Sequence, residues 1–129
     1  MQINRPDVVD EVTAAFTSYE QALVENDVDR ILSFFAPEAV RYGIADQQAG
    51  LEEQARWRRA QSDLPPGRRL KDTTVTAYGS DAAVVTTLFG YPGSDTLGRQ
   101  SQTWIRLPEG WRIVHAHVSH PAEPPTPAR

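Results

Sequence analysis

The stretch from Arg99 to His120, RQSQTWIRLPEGWRIVHAHVSH, holds two runs of alternating character on either side of Pro108-Glu109-Gly110. A proline, an acid and a glycine between two such runs predict a β-hairpin. With Glu109-Gly110 as the loop, Leu107 pairs with Arg112, Trp104 with His115, and Gln102 with His117. Side chains alternate across a strand, so one face carries Gln100, Gln102, Trp104, Arg106, Trp111, Ile113, His115, His117 and Ser119. The other carries Ser101, Thr103, Ile105, Val114, Ala116 and Val118. The first face is bulky and amphipathic, the second small and mostly apolar. Each is expected to meet a different neighbour.

Upstream of this hairpin, residues 70–78 and 82–91 read as two more strands joined at Gly79-Ser80-Asp81. The second, AAVVTTLFGY, is rich in β-branched residues and suits the middle of a sheet. The first half of the chain is helical in pattern. Val8, Val12, Ala15, Phe16, Tyr19, Ala22 and Leu23 recur every three or four residues and predict a helix over 7–25, with Asp7 as N-cap. Asn26-Asp27 stops it and can cap a second helix over 28–35, which Pro37 ends. Residues 39–44 form a short strand with Val40 and Tyr42 on one face and Arg41 and Gly43 on the other; 45–50 is a polar turn. A charged third helix follows over 51–62, and its thin apolar content suits a place across an opening or an edge. Three helices with one strand among them, then an antiparallel meander, make one α+β domain over 1–120. Its helices pack on one side of a curved, mostly antiparallel sheet. The proline-rich residues 121–129 read as a disordered tail.

Composition narrows the function classes. At 129 residues, 40% of them hydrophobic, the chain is long enough for a real core. A net charge of −4 weighs against nucleic acid as partner. With no cysteine there is no thiol nucleophile and no thiolate metal site. No run approaches the ~20 apolar residues of a membrane helix. The N-terminus lacks a basic region followed by an apolar one, so the expected compartment is the cytoplasm.

Among the candidate residues, Arg41 stands first. A guanidinium buried on a concave face receives a carboxylate through two parallel donors, and the plainer alternative is a structural salt bridge. Tyr19 lies in the apolar stripe, where its hydroxyl needs a partner; it is either a core residue or a proton donor to charge developing on a substrate. His115, His117 and His120 tempt a metal reading, but no carboxylate follows at ligand spacing, so no metal is expected. Ser101, Thr103 and Ala116, turned toward the helices, would leave a cavity there. A bulge in the hairpin would swap the faces and bring Gln102 and His117 inside instead. The arginine run Arg56, Arg58, Arg59, Arg68 and Arg69 reads most simply as a solvated face.

This order of elements, with the ending GWRIVHAHVSH, resembles the SnoaL-like, nuclear-transport-factor-like fold, a cystatin-like cone. More narrowly, INRPDVVDEV, YEQALVENDVD, VRYG, GRQSQTWIR and WRIVHAHVS resemble the AtzH-like family of bacterial proteins, found with amidases in nitrogen-compound catabolism. The resemblance implies decarboxylation of a small carboxylated urea or amide without metal or cofactor, with the family's tyrosine and arginine falling on Tyr19 and Arg41. Ser101, Thr103, Gln102 and His117 complete the candidate substrate contacts. Two other readings stay open: a non-catalytic module that binds small carboxylates or accompanies an amidase, and a SnoaL-like proton-transfer isomerase or cyclase. The latter needs a general base, which the candidate pocket strands do not supply apart from His117. Finally, the face with Trp104, Trp111, Ile113 and His115 is too apolar for water and predicts a homodimer through the outer side of the last strands.

Overall fold

The computed structural model describes residues 1–122. Helix α1 (Pro6–Glu25) begins directly on its proline, whose fixed φ suits the first turn. Arg5 is therefore the N-cap, and the expected cap Asp7 lies inside the helix, paired with Arg5. Asn26 closes α1 in the left-handed conformation, and the Asp27 carboxylate accepts from the Arg30 N–H to open α2 (Val28–Ser33). The chain then enters β1 (Phe35–Tyr42) through Pro37, a proline that a strand at this point tolerates and a helix does not. The expected polar turn contains a short strand, β2 (Gln47–Ala49), and α3 (Leu51–Arg59) follows it. The remainder is the meander β3 (Arg69–Tyr78), β4 (Ala82–Gly90), β5 (Gly98–Leu107) and β6 (Gly110–Ser119).

The six strands form one sheet in the order β2-β1-β6-β5-β4-β3. β1 runs parallel to β6, and the other pairings are antiparallel. α1 packs across β3 and β4, while α3 covers β1 and β2 at the opposite edge. The expected α+β architecture, helices on one side of a mostly antiparallel sheet, is what the chain adopts. Residues 123–129, most of the tail read as disordered, lie outside the described residues.

The hairpin corrects the expected register. Its loop is Pro108-Glu109, because Gly110, at φ 125°, already pairs with Leu107. Trp104 faces Ile113, yet Thr103 faces His115, so Val114 is an extra residue: a bulge in β6. The bulge lies in one strand only and therefore swaps only part of the expected faces. Gln100, Gln102, Trp104, Trp111, Ile113 and Ala116 are buried. Ser101, Thr103, His115 and His117 line a shallow hollow on the opposite side.

Two expectations fall with this. The small-residue face of β5 is not the cavity wall, because Ser101 and Thr103 turn outward and only Ala116 turns in. Trp104, Trp111 and Ile113 are no dimer seam but core residues, packed with Val8, Val12, Phe16, Tyr19 and Phe35. Trp104 is fully buried, its ring edge-on to Tyr19 and Phe34, and its indole N–H donates to Gln102 Oε1 at 3.0 Å. Deleting so large a buried ring costs about 3–5 kcal/mol. Trp104→Ala is accordingly expected to lower the unfolding free energy by that amount in denaturant titration. A loss below about 1 kcal/mol would place the ring outside the core.

Candidate functional site

Between α1, α3 and the open end of the sheet lies a cavity of about 300 Å³. Its walls are largely apolar, with Leu23, Trp57, Leu64, Phe89 and Val118 among them. Into these walls the fold sets three guanidiniums, those of Arg41, Arg58 and Arg68. Such charges are costly to remove from water unless paired, so their partners decide what the cavity can do.

Arg41 is placed by strand alternation. β1 turns Val40 and Tyr42 away from it, and Tyr42 stands outside against His115 and His117. Its Nη1 donates to the Asp46 carboxylate and, at 3.0 Å, to Gln48 Oε1. The guanidinium stacks over Trp57 at 4.3 Å from the ring centroid. Asp46 reaches Arg41 from the turn between β1 and β2, where its carboxylate lies against Gly43 so closely that a Cβ there would collide with it. Burial alone would raise the Asp46 carboxyl, but the Gln48 amide and the Arg41 charge bring it below its ordinary value. This carboxylate lines the cavity, a feature the sequence reading did not foresee.

Arg68 anchors the far wall. Its Nε donates to Glu20 Oε1 at 2.9 Å, and it also donates to the Tyr91 hydroxyl and to Gln100 Oε1. Gln100 closes the ring by donating to Glu20 Oε2 at 3.0 Å. Burial opposes the Arg68 charge, yet the bond and charge of Glu20 hold its pKa above the ordinary arginine value. The site is closed on itself, with donors and acceptors matched.

Arg58 differs. It lies one turn beyond Gln54 on α3, is 6% exposed, and opens on the cavity. Its Nε donates to Gln54 Oε1 at 2.7 Å, but Nη2 is buried without a partner, as is Gln54 Nε2. Among the described residues no carboxylate forms an ion pair with it. The rings of Phe35 and Trp57 flank it, at 5.6 and 5.5 Å from its central carbon. Burial pulls its pKa below the ordinary arginine value, the Arg41 charge adds to that, and the neighbouring Tyr19 hydroxyl works against it. A guanidinium has the paired donors to receive a carboxylate.

Tyr19 and Arg41, the two residues singled out from the sequence, do meet in this cavity. Tyr19 is held edge-on by Phe34 and Phe35. The four other expected contacts do not join them. Ser101, Thr103 and His117 lie on the outer face, and Gln102 is buried against the Trp104 indole. His120 lines the cavity near Phe89, apart from His115 and His117. Arg58 and Arg68, expected within a solvated run, instead have buried side chains in the cavity wall. For Arg58 a signal existed: Leu51, Gln54 and Arg58 share one helix face, and Leu51 packs against the core.

Residues 1–124 match the AtzH-like family. Among solved structures, the chain is similar to a cystatin-like fold protein from Burkholderia xenovorans LB400. That likeness has 49% identity and a TM-score of 0.90, covering 96% of this chain and 99% of that one. It is also similar to a protein of unknown function from Pectobacterium atrosepticum SCRI1043, at 45% identity and a TM-score of 0.89, over 93% of this chain and 95% of that one. A ketosteroid isomerase-like protein from Erwinia carotovora atroseptica SCRI1043 shares the fold alone. It has 13% identity and a TM-score of 0.72, over 91% of this chain and 98% of that one. No curated protein matches.

The unsatisfied Gln54–Arg58 pair is a cost to the empty protein. Replacing both partners of a buried hydrogen bond by apolar groups of similar shape is nearly neutral or stabilising. Gln54→Leu/Arg58→Met is therefore expected to be at least as stable as the wild type in denaturant unfolding. A variant less stable than the wild type would mean that the pair serves the fold and not a ligand.

Proposed function

The chain belongs to the AtzH-like family, and from that premise we propose that it is a cofactor-free carboxy-lyase acting on a small carboxylated urea or amide. The observation that carries this is Arg58: a buried guanidinium, its Nη2 without a hydrogen-bond partner, on a residue that lines a small, apolar-walled cavity. In this reading Arg58 binds the substrate carboxylate, and the Asp46-paired Arg41, which also lies against Trp57, adds its charge to the same wall. Leu23, Leu64, Phe89 and Val118 exclude water from the charge, which favours loss of neutral carbon dioxide.

The step needs little beyond positioning. The bond between nitrogen and the carboxylate carbon breaks, and its electron pair passes to nitrogen, spread onto the adjacent carbonyl oxygen. That carbonyl is the electron sink, so the chemistry requires no cofactor. Tyr19 donates a proton to the nitrogen and recovers one from solvent. Carbon dioxide and a neutral urea or amide leave. A released amide is the class of compound that a C–N hydrolase consumes, which accommodates the expected link to an amidase.

One observation favours a second reading. Asp46 puts a carboxylate in the cavity, as a proton-transfer isomerase requires. Its bond to Arg41 and its lowered pKa make it a weak base, so we rank this below decarboxylation. The proposal keeps the homodimer, with its seam moved to the outer face at Thr103, His115 and His117.

Incubation with an N-carboxylated urea is expected to release carbon dioxide above the spontaneous rate. Tyr19→Phe should lower kcat by about 10²–10⁴-fold, the usual contribution of a positioned acid. Arg58→Gln should chiefly raise KM. Binding without any release would leave a non-catalytic carboxylate module, and a full-rate Tyr19→Phe would remove the tyrosine from the mechanism. Light scattering of the same preparation should give twice the chain mass; a monomer at micromolar concentration sinks the pairing.

A further inference from the structure

We infer that His115 and His117 form half of a zinc site, and that a second copy of the chain completes it with its own pair. The inference rests on the homodimer seam proposed above and names what holds that seam. The ion would lie on the side of the sheet away from the cavity, apart from the chemistry proposed there.

The bulge at Val114 turns both imidazoles to the outer face, two positions apart on β6. Alternate residues of a strand stand roughly 7 Å apart on one face. Two rings at that spacing can converge on a single ion about 2.0–2.1 Å from each ligating nitrogen. One of the rings is set for this task. A carbonyl only accepts, so the contact of 3.0 Å between His115 Nδ1 and the Val40 carbonyl puts the proton on Nδ1. The neutral ring then carries its lone pair on Nε2. Metal-binding histidines almost always donate from their other nitrogen to a carbonyl or a carboxylate in this way. Tyr42, on the neighbouring β1, stands edge-on to both rings, with 5.7 and 5.6 Å between centroids, and orders the two together. Opposite them on β5 stand the short side chains of Thr103 and Ser101, and His117 is exposed. Arg99, the charged residue of this hollow, pairs with Ser119 one row farther along and is exposed, so its guanidinium can stay in water.

One chain cannot complete the site. Structural zinc takes four ligands, and among the described residues no third histidine, aspartate or glutamate gathers with this pair. His120 lies beside Phe89 at the cavity instead. A two-fold axis through the hollow brings the same two imidazoles from the other copy, because such a contact repeats one patch on both sides. Four imidazoles then surround one ion, one zinc per two chains. The seam has need of it. Around the pair, Ser101, Thr103 and Ser119 offer a second copy little apolar area to bury, and the shared ion supplies the missing attraction.

Untagged protein, given zinc chloride or EDTA and passed over a gel-filtration column, is measured by light scattering and by elemental analysis. With zinc, the dimer should carry one ion per two chains, and EDTA should raise the dimer dissociation constant at least about tenfold. His117→Ala changes an exposed position and should keep the wild-type melting temperature in EDTA. It should take up no zinc and associate no better with zinc than without. A wild-type dimer equally tight in EDTA overturns the inference and leaves the seam standing. One zinc per chain overturns the sharing of the site. Equal uptake by His117→Ala would show an adventitious ion only and overturns the assignment to this pair. Protein that stays monomeric with zinc loses the seam, and the inference with it.

Discussion

One extra residue in β6, Val114, sets which side chains the sheet turns toward its helices. Below the bulge, Trp111 and Ile113 share the inner face with Trp104 and build the core. Above it, the strand has rotated, so Ala116 and Val118 face inward while His115 and His117 face out. Without that rotation two imidazoles would stand where Ala116 and Val118 now stand, and Val118 could not serve as an apolar wall. The bulge thus joins a filled half of the cone to an open half. Its parallel neighbour β1 follows the same surface, so that Arg41, paired with Ala116, points into the cavity while Tyr42, paired with His117, points away from it.

The open half is where the chain departs from what stability alone would choose. Arg68 and Glu20 satisfy each other within a ring of hydrogen bonds, and Arg41 has Asp46, Gln48 and Trp57. Arg58 and Gln54 keep unmatched donors in a wall of aromatic rings. Strain and unmet polarity of this kind collect where a protein must bind or react, because preorganised donors need no rearrangement when the anion arrives. The same apolar rings that make Arg58 costly in the empty cavity strengthen its attraction for a carboxylate inside it.

Much of the fold was legible because its signals are local. The alternation in β5, the turn at Gly79-Ser80-Asp81 and the stripe from Val8 to Leu23 each depend on a few neighbouring residues. Tyr19 could be placed on an inward face for the same reason, whereas Arg41 was singled out by the resemblance, its face left open; both line the cavity. What was hidden depends on distant partners. The bulge at Val114 is decided by how Trp104 and Ile113 pack under the helices, and no pattern within β6 announces it. The expected loop failed by one position because Gly110 serves as the first residue of β6. Arg58 sits in LEEQARWRR, where five charges mask a buried face, and Arg68 follows a proline–glycine loop that has no period to read. Asp46 could not be assigned because its role exists only once β1 and β2 bring it beside Arg41.

The central claim is that Arg58 binds the carboxylate of a small molecule in the cavity. A crystal structure of the protein with malonamate, a small carboxylate that also bears an amide, tests it most directly. The account predicts a carboxylate oxygen about 2.7–2.9 Å from a nitrogen of the Arg58 guanidinium, the ordinary length of such a charge-assisted bond. Arg41 would remain bound to Asp46. Malonamate seated elsewhere, with Arg58 Nη2 bonded to a group of the protein itself, would contradict it.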